Sequence, residues 1–218
     1  LLGILIRLTP ELLSYSNLIG FDTVYCAARL KEGIIWHHWS DIFTETWLLY
    51  SLMISIHKIA NLTPIITLKA VPVILYGLSS AGIYYFPYKA LKWKPKKSLL
   101  ASVLLSFSLA SLRISWDMYR NILGLSILLF TLTIISEAED RKGTLLFMLF
   151  SILTVLGHEL ATVTLLSIIT YRILRAIKKD EEEKAFRLLA SISPALTIFV
   201  TGIYLRSFPP YRVESNII

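Results

Sequence analysis

Long apolar runs alternate with short charged segments over the last two thirds of the chain. The runs cover residues 65–86, 98–112, 122–136, 144–171 and 188–205. A helix that crosses the hydrocarbon core of a membrane needs about 20 mostly apolar residues. The pattern therefore predicts an all-α fold, a multi-pass transmembrane helical bundle with about five spans between residues 65 and 205.

The run 144–171 has a polar interruption at Gly157-His158-Glu159, near its middle. With 28 residues it is also longer than one simple span requires. We therefore predict two shorter helices that meet at these three residues. The alternative is one long tilted helix that carries a buried His–Glu pair.

The first part of the chain has shorter apolar segments, and residues 7–64 are predicted to form an external loop with juxtamembrane helices. A helix over 23–33 would put its apolar side chains on one face and Arg29 in water. The stretch 46–60 has only about 15 residues, so we expect a helix at the membrane interface and not a span. Three tryptophans fit an interfacial aromatic belt: Trp36, Trp39 and Trp47.

Composition supports a membrane protein. Hydrophobic residues make up 55% of the chain and charged residues 17%, and the mean hydropathy is +0.64. Such a chain lacks the polar surface of a water-soluble protein. We interpret residues 1–218 as a single membrane domain, and we expect the sequence to be cut at both ends because it begins with Leu1 and stops at Ile218.

The formal net charge of +7 is concentrated in short loops between the apolar runs. This distribution indicates membrane topology and does not favour nucleic acid as a partner. The loop 89–97 contains five lysines and is predicted to face the cytoplasm. Counting spans from that loop places Asp22, the segment 113–121 and His158 on the outer side of a cell membrane.

Several ionisable residues would lie together on that outer side. Asp22 begins the predicted helix 23–33, where an aspartate serves either as a helix cap or as a functional carboxylate. Arg113, Asp117 and Arg120 form a polar island between two apolar runs. This island is either a surface turn with a local Asp–Arg pair or a phosphate site, because guanidinium groups bind phosphate with paired hydrogen bonds.

His158 and Glu159 form a third external element by the same count. They are interpreted either as a hydrogen-bonded kink or as part of a site, since charges at membrane depth are usually functional. His37 and His38 do not form a metal motif, because adjacent side chains on a helix point apart and no third ligand is nearby. The sequence contains no Walker loop, HExxH, GxSxG or CxxC motif.

The first 90 residues contain an acidic motif, Gly20-Phe21-Asp22-Thr23-Val24-Tyr25. It is followed by Ala27-Ala28-Arg29-Leu30-Lys31-Glu32-Gly33 and by Trp36. The juxtamembrane stretch 46–60 and the apolar run 65–86 come next. Over about the first 90 residues this layout resembles the GT-C class of membrane glycosyltransferases, which use sugars carried on polyprenyl phosphate or pyrophosphate.

The resemblance implies that Asp22 is the catalytic carboxylate, acting as a general base or as an acceptor-positioning and metal-binding group. It also implies a lipid-linked sugar as donor, a glycan, lipid or protein as acceptor, and room for a divalent cation. Beyond the family motif, we expect Arg7, Arg113, Arg120 or the basic residues near Arg206 to neutralise the phosphate as it leaves.

Two other functions remain open on the sequence: a non-catalytic membrane subunit of a larger complex and, less favoured, a transporter. The transferase requires Asp22 and the island of Asp117 and Arg120 to meet on one face beside a lipid-sized groove. A transporter would need a site near the midplane and repeated halves, and the two halves of this chain share no convincing repeat.

Overall fold

The computed structural model describes residues 1–14, 17–20, 23–45, 47–135 and 140–208, apart from the side chain of Asp117. The described residues form eleven helices and no strand, which confirms the predicted all-α class. The helices are α1 (Leu2–Leu13), α2 (Thr23–Glu32), α3 (Asp41–Thr44), α4 (Leu48–Ile59), α5 (Pro64–Lys89), α6 (Pro95–Ser106), α7 (Leu109–Asp117), α8 (Tyr119–Ile134), α9 (Arg141–Gly157), α10 (Glu159–Lys178) and α11 (Glu182–Ser207).

Three of these helices, α5, α10 and α11, are long and apolar enough to cross a membrane. Helices α6 and α7 make a fourth candidate if they are taken as one span that bends by 59°. The apolar run 122–136 corresponds to α8, which is a shorter apolar helix. Several apolar helices could therefore cross a membrane, as expected for a membrane protein.

The helices alternate in direction, so the connections between them gather at two ends of the bundle. Helix α1 runs antiparallel to α5, because Ile4 packs against Gly77 while Lys69 Nζ donates to the Glu11 carbonyl at 2.7 Å. We call the end that holds the connection from α1 to α5 the long-loop end. It also holds the junctions α7–α8 and α9–α10 and the end of α11.

The opposite end, which we call the short-loop end, holds residues 90–94, the connection from α8 to α9, and 179–181. Ile135 and Glu181 line one cavity there. The three basic segments that the sequence predicts on one side, 89–97, 141–142 and 172–187, thus share one end.

Hydrogen bonds between small polar side chains join α5 to α6. The Tyr76 hydroxyl donates to the Ser106 carbonyl at 2.8 Å, and the Ser102 hydroxyl donates to the Ser80 carbonyl at 2.7 Å. The hydroxyls of Ser80 and Ser106 are themselves 2.8 Å apart. Such contacts replace the hydrophobic driving force that is missing between helices in lipid.

Two apolar clusters form the core, one near each end. The cluster of the long-loop end includes Tyr50, Met53, Leu75 and Tyr119 and takes in side chains of α2 and α4. The second includes Phe147, Leu165 and Ile192 from α9, α10 and α11. The juxtamembrane helices are therefore part of the core and not an appendage to it.

Two predictions on local structure can be compared directly with the helices. The break at Gly157 to Glu159 is confirmed, since α9 ends at Gly157 and α10 begins at Glu159, which excludes the single long helix. The placement of Arg29 in water is wrong. Its side chain is buried because it points toward α4 and pairs with Glu45.

Candidate functional site

The loop that carries the acidic motif packs on the junction of α7 and α8. Gly20 has φ of +112°, and a Cβ at this position would overlap the carbonyl oxygen of Trp116. The buried Tyr119 at the start of α8 donates its hydroxyl to the Ile19 carbonyl at 3.3 Å. Only glycine fits this approach of two backbones.

The backbone at Ile19 and Gly20, just before the acidic residue of the motif, therefore contacts the segment 113–121. Thr23, which begins α2, donates its hydroxyl to the Gly20 carbonyl at 2.6 Å. Gly20 and Thr23 enclose Phe21 and Asp22 in the sequence. Asp22 itself lies outside the described residues, and so does the side chain of Asp117, so the catalytic assignment of Asp22 stays a prediction.

Met118 separates α7 from α8 with φ of −140° and ψ of 69°, which breaks the helix before Tyr119. Arg120 lies in the first turn of α8 and is exposed to solvent, and Arg113 is exposed on α7. The first N–H groups of a helix lack intrahelical partners and carry partial positive charge. A guanidinium in that turn adds a full positive charge at the same place.

His158 lies beside this turn of α8. Gly124 is four residues after Arg120 and on the same face of α8, and a Cβ there would overlap the His158 side chain. His158 has extended backbone, and its Nδ1 accepts from the Leu160 N–H at 3.2 Å, which caps α10. Burial and the charge of Arg120 lower the pKa of His158, while Glu159 opposes that shift.

These contacts favour one form of the imidazole. A lowered pKa favours the neutral form of His158. Since Nδ1 accepts the capping hydrogen bond, the proton of the neutral ring belongs on Nε2. His158 thus serves as a kink residue, as one of the two hypotheses predicted, and keeps one N–H donor near Arg120.

A cluster of aromatic and charged side chains surrounds Arg29 of α2. Arg29 Nη2 donates to Glu45 Oε2 at 2.9 Å and to the Tyr25 hydroxyl at 3.3 Å. The guanidinium also lies over the rings of Tyr25 and Tyr50, at 5.7 and 5.3 Å from their centroids. Burial alone would lower the pKa of Arg29, but the Tyr25 hydrogen bond and the charge of Glu45 raise it overall.

Tyr50 connects this cluster to Arg120. Burial raises the pKa of the Tyr50 phenol, and the charges of Arg120 and Arg29 oppose that rise. The sequence analysis did not single out Tyr50, Glu45 or Tyr119. Only the pattern of aromatic residues near acidic and basic ones in the external segment could have pointed to them.

Glu159 points away from this group and forms an ion pair with Arg206 at the end of α11. Arg206 Nε also donates to the Thr44 carbonyl at 2.9 Å, which ties α11 to α3. The cleft beside the pair holds only about 20 Å³, the size of a water site and not of a sugar. Glu159 thus joins helices at the long-loop end.

Arg7, predicted as a phosphate ligand, has no solvent exposure at all. Its Nη1 lies 2.5 Å from Glu11 Oε1, and its Nη2 donates to the Ser115 carbonyl at 3.4 Å. Lys69 Nζ is 3.6 Å from the second oxygen of Glu11. With its guanidinium 6.0 Å from the Trp116 ring centroid, Arg7 holds α1 against the end of α7 and offers no surface to a ligand.

The described residues contain no group of three His, Cys, Asp or Glu side chains that could hold a metal ion. Within the described ranges, the site brings together Arg120, His158 and the backbone on both sides of the acidic motif. Glu159 is held by Arg206, and Arg7 is enclosed by protein. Of the predicted phosphate ligands Arg7, Arg113 and Arg120, the last two are exposed to solvent.

No protein-family model matches this chain, and neither a curated protein nor a solved structure does. The GT-C resemblance therefore stays a prediction from the residues quoted for it.

Proposed function

We propose that this protein is a membrane glycosyltransferase that moves a sugar from a polyprenyl-phosphate carrier to an acceptor, with Asp22 as the catalytic carboxylate. The observation that supports this proposal most directly is the contact between the acidic motif and the α7–α8 junction. Gly20 touches Trp116, and Asp22 is joined by one peptide bond to Thr23, whose hydroxyl is bonded back to Gly20.

The proposed reaction breaks the bond between the anomeric carbon and the phosphate oxygen of the carrier. A carboxylate at Asp22 takes the proton from the acceptor hydroxyl, and the acceptor oxygen forms the new bond to the anomeric carbon. The electron pair of the broken bond stays on the lipid phosphate, which therefore gains negative charge. A positive charge close to that oxygen stabilises the transition state.

Arg120 is the residue that we assign to this positive charge. It is exposed in the first turn of α8, where the free N–H groups of the helix also attract an anion. Arg113, exposed on α7, is the second candidate. The neutral His158 beside Arg120 supplies an N–H donor without adding a competing charge.

The proposal includes an orientation in a cell membrane. We expect the short-loop end, with its lysine-rich loop 89–97, to face the cytoplasm, because positive residues in short loops are retained there. The site would then face outward. Labelling of intact cells with a membrane-impermeant maleimide tests this, using Glu32→Cys and Lys92→Cys in a Cys26→Ala background. Labelling of the residue 92 thiol alone would contradict the orientation.

Transfer of radiolabelled sugar from a panel of polyprenyl-phosphate donors, measured in proteoliposomes, tests the activity. We expect the wild type to transfer and Asp22→Asn to lose transfer while its circular dichroism and elution volume are retained. The matched control is Asp180→Asn, the same chemical change at the opposite end. Asp180 has φ of +58°, a conformation that asparagine also adopts.

The remaining outcomes separate the alternatives. Equal transfer by the wild type and Asp22→Asn would remove Asp22 from the mechanism. No transfer with any donor would favour the non-catalytic subunit, whose expected defect on surface substitution is loss of partner binding and not of turnover.

A further inference from the structure

A cavity of about 820 Å³ opens at the short-loop end, between the last turns of α10 and the first turns of α11. Arg172 and Arg175 line it from α10, and Lys179 lines it from the residue that follows this helix. The spacing of three residues puts the two arginines on one face of α10. Lys184 and Arg187 face them from α11.

The cations of the two helices differ in how they are paired. On α11, Lys184 lies 3.2 Å from Glu181, and Arg187 lies 2.7 Å from Glu183. On α10, neither Arg172 nor Arg175 has an ion-pair partner among the described residues.

Two arginines of like charge one turn apart repel each other, and Arg172 is half-buried. An anion bound between them would remove both the repulsion and part of the cost of burying the charge. The cavity also has acidic lining residues, Asp180 and Glu181 in the turn between the helices and Glu182 and Glu183 in the first turn of α11.

An apolar groove of about 360 Å³ adjoins the cavity between α9 and α11. Leu145 and Met148 line it from α9, and Phe186 and Ala190 line it from α11. Phe186 is 73% exposed and Leu145 52% exposed. The groove and the cavity share Glu183 and Arg187, so they form one continuous surface with a cationic part and an apolar part.

We propose that this surface binds an anionic phospholipid, with its phosphate between Arg172 and Arg175 and an acyl chain in the groove. A free phosphate would use only the cavity, and a neutral apolar molecule only the groove. A lipid uses both parts, and paired guanidinium groups suit its phosphate. The surface lies at the ends of two helices that are long enough to cross a membrane, the level at which lipid headgroups are bound by basic pockets.

This site is separate from the proposed transferase site, which lies at the long-loop end, so each can be tested without the other.

The full chain in neutral detergent is titrated with phosphatidylglycerol, and bound lipid is counted by native mass spectrometry. For Arg172→Gln with Arg175→Gln we expect about 30-fold weaker binding, or about 2 kcal/mol at about 1 kcal/mol per basic residue.

The matched control is Arg141→Gln with Lys142→Gln, which removes the same charge at the same end but from residues that line neither space. We expect it to bind phosphatidylglycerol as the wild type does. An equal loss in both double variants would overturn the site, since a general loss of positive charge would then explain the result.

Two further probes distinguish a lipid from a soluble phosphate. Phosphatidylcholine has the same chains but no net negative charge, and we expect it to bind at least tenfold more weakly. Glycerol 3-phosphate has the phosphate without the chains, and we expect it not to displace the lipid. Equal binding of phosphatidylcholine, or displacement by glycerol 3-phosphate at equal concentration, would overturn the proposal.

Phe186→Ala gives a test that does not depend on the arginines. Its side chain is exposed, so the substitution leaves the core intact. We expect weaker binding of phosphatidylglycerol through the loss of the apolar wall. Unchanged lipid binding in this variant would exclude the groove as the site of the chain.

Discussion

The two ends of the bundle use charged residues in different ways. At the long-loop end two arginines with buried side chains are held by carboxylates, Arg7 by Glu11 and Arg29 by Glu45. At the short-loop end most charged side chains are exposed, and the pair of Arg187 with Glu183 is typical. Buried pairs fix the positions of helices, whereas exposed charges set orientation and attract ligands.

The largest contrast between the two ends is expected from removal of one partner of an ion pair. Glu11→Ala leaves the fully buried Arg7 without its counter-charge, which should cost about 3–5 kcal/mol of unfolding free energy. Glu183→Ala breaks an exposed pair and should change little. Denaturant titration in mixed micelles measures both.

Similar losses of unfolding free energy in the two variants would show that burial of the ion pair does not determine the cost of removing one partner. The double variant Arg7→Met with Glu11→Leu sharpens the comparison. An apolar pair of similar volume should recover most of the lost stability, because no charge is then left uncompensated.

The next effect is expected at the glycine where the acidic motif meets α7. Gly20→Ala should cost about 3 kcal/mol, because a side chain is strained at φ of +112° and its Cβ overlaps the Trp116 carbonyl. Gly33→Ala is the control, with φ of +67° but no atom closer than 3.9 Å. It should cost only about 1–2 kcal/mol.

Thermal unfolding and sugar transfer are measured on both glycine variants. Under the proposed function, Gly20→Ala should also lose transfer, since the acidic motif can no longer rest on the α7–α8 junction. If a destabilised Gly20→Ala protein retained sugar transfer, the activity would not depend on the contact between Gly20 and Trp116.

A smaller but specific effect is expected for Arg120. Arg120→Gln should lower kcat for sugar transfer about 100-fold, since one positive group that stabilises the leaving phosphate is removed. Arg120→Lys should recover part of the rate by restoring the charge without the paired hydrogen bonds. Arg141→Gln, at the short-loop end, should keep the wild-type rate. Equal rates for all three would exclude Arg120 from the reaction.

The smallest effect is a pH dependence from His158. Because its pKa is lowered in the folded protein, the stability from the neutral ring is present above the ordinary value of about 6.5 and falls as the pH drops below it. His158→Asn keeps a capping side chain and should lose less stability from about pH 7.5 to about pH 5.5.

Thermal unfolding at both pH values measures this effect. His37→Asn is the control, because His37 is an exposed histidine outside the site, and it should keep the wild-type dependence. A His158→Asn protein as acid-sensitive as the wild type would show that another group causes the loss.

Much of the fold could be predicted from the sequence because membrane spans leave local signals. The apolar runs predicted the long helices of the second part of the chain. The polar residues Gly157 to Glu159 predicted the break between α9 and α10. The burial of Arg29 could not be predicted from such local signals. Its partner Glu45 is 16 residues away, just after the end of α3.

The site was predictable in part. The expectation that the acidic motif and the polar island meet depended on the family layout, whereas the contact itself joins Gly20 to Trp116 through backbone atoms that no pattern reveals. The pairing of Arg7 with Glu11 has the helical spacing of four residues. Its complete burial comes from Ser115 and Trp116, more than one hundred residues later.

The shortness of α8 has a consequence for the shape of the long-loop end. Its 16 residues span about 24 Å, less than the hydrocarbon thickness of about 30 Å. The Ser126 hydroxyl contacts the Leu75 carbonyl at 3.4 Å, so Tyr119 lies at about the level of Leu68, roughly one turn below the start of α5. On this side α5 therefore extends about one turn beyond the first turn of α8. A bilayer that matches the length of α5 would place that first turn about one turn deeper than the start of α5, where water screens the partial charges of its N–H groups less.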